Sequence, residues 1–117
     1  MADQACIFCD IASGKTGAPL VYQDDTVVAF ADIRPIAPTH LLVVPRAHHA
    51  TLLDAAAQGD EALLGRLLAV AGKLAKEGLG EDPSCRVVVN SGAGAGQTVY
   101  HLHLHLLSGR HFAWPPG

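Results

Sequence analysis

The succession of residue patterns in this chain specifies an α+β domain, and three observations carry that reading. Short runs rich in β-branched and aromatic residues lie in both halves of the sequence, one long segment between them changes to helical period, and no internal repeat, low-complexity tract or linker divides the whole. A chain of 117 residues is one domain's length and buries about two-thirds of its unfolded surface, so residues 1–117 are read as a single unit. With 50% hydrophobic and 16% charged residues, the composition is far from that of a disordered protein.

Leu20-Val21-Tyr22-Gln23 and Thr26-Val27-Val28-Ala29-Phe30 flank the acidic turn Asp24-Asp25 and predict an antiparallel hairpin. Pro35 and Pro38 remove donors and restrict the residues before them, which makes residues 32–38 a loop. His40-Leu41-Leu42-Val43-Val44 resumes an extended apolar run, ended by Pro45, of the kind covered on both faces. From Asp60 to Glu77, Leu63, Leu64, Leu67, Leu68, Ala71, Leu74 and Ala75 recur on one helical stripe. Asp60 or Glu61 suits the amino end of that helix, Lys73 and Lys76 its carboxyl end, and Gly78 a left-handed stop. Residues 85–90 return to strand, with Cys85 as a core residue. A glycine-rich bend over residues 91–97 leads into a last strand over residues 99–107, and Trp114-Pro115-Pro116-Gly117 cannot continue a sheet.

The charge balance excludes some function classes. With 8 Lys+Arg against 11 Asp+Glu the formal charge is −3, which leaves no basic excess to hold a nucleic acid polymer. No apolar stretch reaches the ~18 residues of a membrane span, and Asp3 stands where an export signal needs basic residues. The 3 cysteines are an odd number, and Cys6 and Cys9 are too close in sequence to staple a fold; both facts point to a reducing cytoplasm.

The unusual feature is 7 histidines, of which His101, His103 and His105 alternate with Leu102, Leu104 and Leu106. In an extended chain this period of two places the imidazoles on one face, roughly 7 Å apart, and the leucines on the other. A solvated edge strand is one reading of the pattern. A second makes the three imidazoles ligands of one zinc that activates water. A third makes one imidazole a nucleophile toward phosphorus while its neighbours orient substrate and move protons. The third reading needs a phosphate site, and Ser91-Gly92-Ala93-Gly94-Ala95-Gly96-Gln97-Thr98 offers one. Its glycines let backbone N–H groups turn toward an anion, and Asn90, Gln97 and Thr98 add neutral donors. The loop lacks the Lys-Ser/Thr ending of a P-loop, and a strand follows it, so neither nucleotide-binding glycine fingerprint applies.

Residues 101–107 match the His-φ-His-φ-His-φ-φ motif, φ being apolar, at every position. The chain thereby resembles the histidine triad (HIT) superfamily of nucleotide hydrolases and transferases. The likeness extends to Cys6-Ile7-Phe8-Cys9-Asp10-Ile11, Ala29-Phe30-Ala31-Asp32-Ile33, Ala37-Pro38-Thr39-His40, Val87-Val88-Val89-Asn90 and Gly96-Gln97-Thr98-Val99-Tyr100-His101. The closing Trp114-Pro115-Pro116-Gly117 is similar to the end of the Hint branch, the purine nucleoside phosphoramidases.

The resemblance implies an antiparallel sheet of about five strands with one main helix and a short N-terminal helix. It also implies a homodimer whose sheets join and whose residues 108–117 reach toward the partner's site. The implied activity is hydrolysis of purine nucleoside 5′-phosphoramidates through a nucleotidyl-histidine. His103 would be the nucleophile and His105 the phosphate contact and proton carrier, with His101 and His40 supporting them from behind. Asn90, Gly96, Gln97 and Thr98 would hold the phosphate, Thr98 standing where the family often has Ser. Asp32 would accept from the two ribose hydroxyls, a job for an acceptor-only carboxylate that a turn role before Pro35 could also explain. Ile7, Phe8, Ile11, Ile33 and Leu42 would form an apolar purine slot.

No cofactor is required for that chemistry, since an imidazole with its ordinary pKa near 6.5 is mostly neutral at physiological pH. Cys6, Cys9, His48 and His101 resemble a structural zinc site of some relatives, the alternative being two small buried thiols. A zinc-dependent hydrolase built on the three triad histidines and a non-catalytic nucleotide-binding module are the competing function classes. His49 and His111 are expected at the surface.

Overall fold

The structure, a computed structural model, describes residues 6–117; the first five residues, on which the reading of the amino terminus rests, lie outside the described residues. Five strands form one antiparallel sheet in the order β1-β2-β3-β5-β4: β1 (Tyr22–Gln23), β2 (Val27–Ala31), β3 (Thr39–Pro45), β4 (Cys85–Val88) and β5 (Leu104–Ser108). A short α1 (Ile7–Ala12), a second short helix α2 (Leu52–Ala57) and the main helix α3 (Glu61–Gly78) complete the α+β architecture, with a 3₁₀ turn over Ala93–Ala95. Among the described residues no helix is long and apolar enough to cross a membrane.

The hairpin forms where predicted because Asp24 organises its turn: Oδ1 accepts the N–H groups of Thr26 at 2.7 Å and Val27 at 2.8 Å. The pairing Leu42 with Phe30 on one side and with His105 on the other puts these three residues on one face of the sheet. The opposite face carries Val27, Ala29, Val43 and Leu104, sealed by Leu63, Leu67, Val70 and Ala71 of α3. On the His105 face, Val28, Phe30, Leu42 and Val44 pack under Phe8 and Ala12 of α1.

Several expectations are corrected. β1 begins at Tyr22, not residue 20, and Leu20 packs instead onto the α1 cluster. Gly78 is still helical; the left-handed residue is Gly80, with φ +71°, two positions later. On the α3 stripe Leu68 is 58% exposed while Val70 is buried, because the face turned to the sheet is narrower than the apolar set. β4 ends at Val88, and Cys85 is exposed because that edge strand projects beyond the cover of α3. β5 starts only at Leu104. Residues 101–103 are irregular and are held by Leu102, whose N–H donates to the His49 carbonyl at 2.7 Å. His49 is buried, its Nε2 3.3 Å from Asp60 Oδ2, so the Asp60 side chain serves His49 and makes no cap bond to α3. His111 is exposed as expected.

Candidate active site

Three backbone carbonyls or amides decide which nitrogen of each histidine is free. A carbonyl oxygen only accepts, so a ring nitrogen bonded to one must carry the proton, and the other nitrogen of a neutral ring then has the lone pair. His103 Nδ1 donates to the carbonyl of His101 at 2.7 Å, which leaves Nε2 as a lone pair. His101 Nε2 donates to the Pro45 carbonyl at 2.7 Å, so its Nδ1 lone pair faces Cys6 Sγ at 3.3 Å and Cys9 Sγ at 3.5 Å. His40 is set the other way. Its Nδ1 accepts the Ile36 N–H at 3.1 Å, so its proton sits on Nε2, 2.9 Å from His105 Nδ1 and 3.3 Å from Asp32 Oδ2. His105 consequently carries its own proton on Nε2. The alternation read in the sequence survives although residues 101–103 are not strand, since Leu102 and Leu104 lie in the α3 core and the imidazoles of His101 and His103 stand edge-on to Phe8.

Burial favours the neutral forms of His40, His101 and His105. Burial first, and then the His103 and His40 rings, push His105 down to about 4, with Asp32 opposing. His40 is lowered by burial against the pull of Asp32, and His101 by burial against the Pro45 carbonyl. Burial and the neighbouring Cys6 sulfur push the Cys9 thiol up to about 11.

A cavity of about 550 Å³ opens beside His103 and His105. Of the residues expected there, Ile7, Phe8, Ile11, Asp32, Ile33, Leu42 and Thr98 line it. Asn90, Gly96 and Gln97 are not among its walls. Gln97 is buried with its amide committed: Nε2 donates to the carbonyls of Ala50 at 2.7 Å and Val99 at 3.0 Å, and Oε1 accepts the Gly92 N–H at 2.8 Å. The glycine-rich bend is likewise closed on itself, the N–H groups of Ala95, Gly96 and Gln97 donating to the carbonyls of Gly92 and Ala93. Gly92 and Gly96 take φ of +95° and +92°, which explains glycine at both. Asp32 does two jobs, since Oδ1 accepts the Arg34 N–H at 2.8 Å in a turn while the carboxylate also borders the cavity. Ala18, Pro19, Val21, Phe30, Ala31 and Val99 complete the wall. Phe30 was recoverable from strand alternation; Val21 and Val99, read as strand residues, lie instead in the irregular segments before β1 and β5.

Behind the cavity, Cys6, Cys9, His48 and His101 bring four ligand atoms within 4.8 Å of one another. Two sulfurs and two imidazoles suit a tetrahedral divalent cation, and the His101 lone pair is already aimed at the sulfurs. The three triad histidines do not share a centre in this way: the potential ligand groups among the described residues are this one and Asp32, His40 and His105, neither of which includes His103. A single metal held by His101, His103 and His105 is therefore not the arrangement found.

An apolar cavity thus ends on two imidazoles of opposite tautomer, one with a lone pair and one with an N–H, a pairing suited to nucleophile and proton donor, in an α+β frame. A protein-family model described as HIT domain matches residues 13–112. The purine nucleoside phosphoramidase of Escherichia coli K12 is 45% identical over 111 residues, covering 94% of this chain and 91% of that protein. A HIT family hydrolase from Legionella pneumophila superposes with a TM-score of 0.89 at 51% identity, over 97% of this chain and all, 100%, of that one. A Zn-bound histidine triad family protein from Mycobacterium smegmatis superposes with a TM-score of 0.70 at 34% identity, over 91% of this chain and 76% of that one. The chain belongs to the histidine triad (HIT) family, and its general kind there is a hydrolase.

Proposed function

We propose that this single HIT domain hydrolyses purine nucleoside 5′-phosphoramidates through a covalent nucleotidyl-histidine. The observation that carries the reading is the His103 Nδ1–H bond to the His101 carbonyl, which commits Nε2 to be the lone pair of a ring bordering the cavity. Nε2 attacks the α-phosphorus, a P–N bond to His103 forms, and the bond to the amine breaks. The departing amine needs a proton, and His105 Nε2–H is the adjacent donor, resupplied through His40. Burial and the neighbouring rings hold His105 neutral, and the negative phosphoryl group raises its proton affinity when substrate binds. Water then cleaves the His103–phosphorus bond and releases the nucleoside monophosphate.

In this reading the purine lies between Ile7, Ile11, Ile33 and Leu42, with Phe8 fixing His103, and Asp32 receives the ribose hydroxyls. Thr98 and Asn90 serve the phosphate side, and Gly96 and Gln97 act through closing the loop that carries Thr98. The Cys6, Cys9, His48 and His101 set holds one structural zinc; catalysis itself requires none. β4 leaves one edge of the sheet open, with Val87 37% exposed, and Trp114 in the tail is 81% exposed. Both features support a homodimer in which the sheets join and residues 108–117 reach the partner. The free cysteines support a reducing, cytoplasmic setting.

The test is turnover of a fluorogenic adenosine phosphoramidate by metal-free and zinc-loaded protein, beside the His103→Ala variant. Turnover in both metal states and a loss of about 10⁴-fold or more in the variant are expected, with nucleotide binding retained. Undiminished turnover without His103 would eliminate the mechanism.

A further inference from the structure

The Cys6-Cys9 pair stands directly behind the bond that orients His103. The single Nδ1 lone pair of His101 lies 3.3 Å from Cys6 Sγ and 3.5 Å from Cys9 Sγ, so without a cation it can accept from only one thiol at a time. The two sulfurs, like all four donors of the set, are within 4.8 Å of each other. They sit at positions i and i+3 around the start of α1, a spacing that places side chains on one side of a helix and suits bridging by modest side-chain rotation. Both are half-buried next to the exposed His48, whose Nδ1 is 3.4 Å from Cys9 Sγ, so small solutes reach them. Closing so short a loop removes little chain entropy, which keeps a bridge there easily reduced.

We infer that Cys6 and Cys9 form a reversible dithiol that closes to a disulfide under a hydroperoxide and, by giving up His101, alters the seating of His103. The chemistry balances as two steps. One sulfur takes the terminal oxygen of the hydroperoxide, whose O–O bond breaks to leave an alcohol or water, and becomes a sulfenic acid; the second sulfur displaces that oxygen as water and forms the S–S bond. Two electrons pass from the sulfurs to the peroxide, and a dithiol reductant returns them by exchange. A cation held by the four donors loses both sulfur ligands at once.

Two contacts carry the change inward. The His101 carbonyl is the acceptor that orients His103, and Phe8, one residue from the pair on α1, packs edge-on against His103 at 5.1 Å and His101 at 6.0 Å. Cys85 is exposed with no cysteine beside it and supplies the internal control.

The experiment uses full-length protein carrying Cys85→Ser, zinc-free and zinc-loaded, treated with hydrogen peroxide and then with dithiothreitol. Expected are a mass loss of ~2 Da on the peptide containing both cysteines, from the two thiol hydrogens of one disulfide. Zinc is released to a chromogenic chelator from the loaded form, the imidazole ¹⁵N signals of His103 shift, and every change reverses on reduction. Nucleotide affinity or turnover should fall by about 5-fold or more, a typical coupling between two sites. Cys6→Ser and Cys9→Ser must each abolish the response. Oxygen added to single cysteines without an S–S bond, or a disulfide that leaves the His103 signals unmoved, would overturn the inference. The mass and ¹⁵N readouts are independent of phosphoramidate turnover, so this idea and the proposed activity can fail separately.

Discussion

The two faces of the one sheet are covered by helices of very different length, and the site lies where the cover is short. On one face α3, 18 residues long, lays Leu63, Leu67, Val70 and Ala71 over Val27, Ala29, Val43 and Leu104. On the other, α1 has 6 residues and contributes Phe8 and Ala12, and a cavity remains beside His103 and His105. His105 borders the cavity that the short helix leaves open, and His40 is buried behind it, its Nε2 2.9 Å from His105 Nδ1. The long-helix face supplies cohesion, and the short-helix face gives up burial for a place where a ligand can lie and where imidazoles can be oriented by the backbone.

Breaking the long-helix face should have the largest effect on stability. Leu67 is fully buried under the sheet, and Leu67→Ala is expected to cost about 2–5 kcal/mol in denaturant unfolding. Turnover per folded molecule should stay near wild type, because the carbonyls that set the triad belong to β3 and residues 101–103. A collapse of turnover in the folded fraction would mean that the two faces are not separable.

On the short-helix face, His105→Asn should reduce turnover by about 100-fold for an alkylamine leaving group and much less for an activated arylamine, as loss of a proton donor requires. Equal losses for both amines would assign His105 to phosphate contact alone. The smallest expected effect is on the pH dependence of stability. His105 is held at about 4 in the folded chain, below the ordinary 6.5, so between those values the unfolded chain binds more protons. Stability therefore falls as pH drops from about 6.5 toward 4 and levels off below. After allowance for partial exposure the contribution is about 1 kcal/mol, measurable as a difference in thermal unfolding between pH 7 and 4.5 that shrinks in metal-free His105→Asn.

Much of the fold was legible because burial leaves a periodic trace. The α3 stripe, the hairpin around Asp24 and the apolar β3 were each readable within a few residues, and the errors came where neighbours decide: Leu68 and Cys85 are apolar but have nothing to pack against, and His49 is polar but finds Asp60. The same contrast holds at the site. The alternation of His101, His103 and His105 with leucines singles out the candidate side chains without any structure, because extended chain has period two whether or not it is hydrogen-bonded as strand.

The amino-acid order alone thus determined an α+β domain, which histidines are candidates for the chemistry, and the two cysteines grouped near its start. Only the folded arrangement decided which nitrogen of each ring is free, that the Gln97 amide is consumed in closing its loop, and that Cys6 and Cys9 meet His101 from ninety-odd positions away. The physical reason is that a tautomer is chosen by a partner, and the partners here, the carbonyls of Pro45 and His101 and the amide of Ile36, become neighbours of the right nitrogen only through three-dimensional packing.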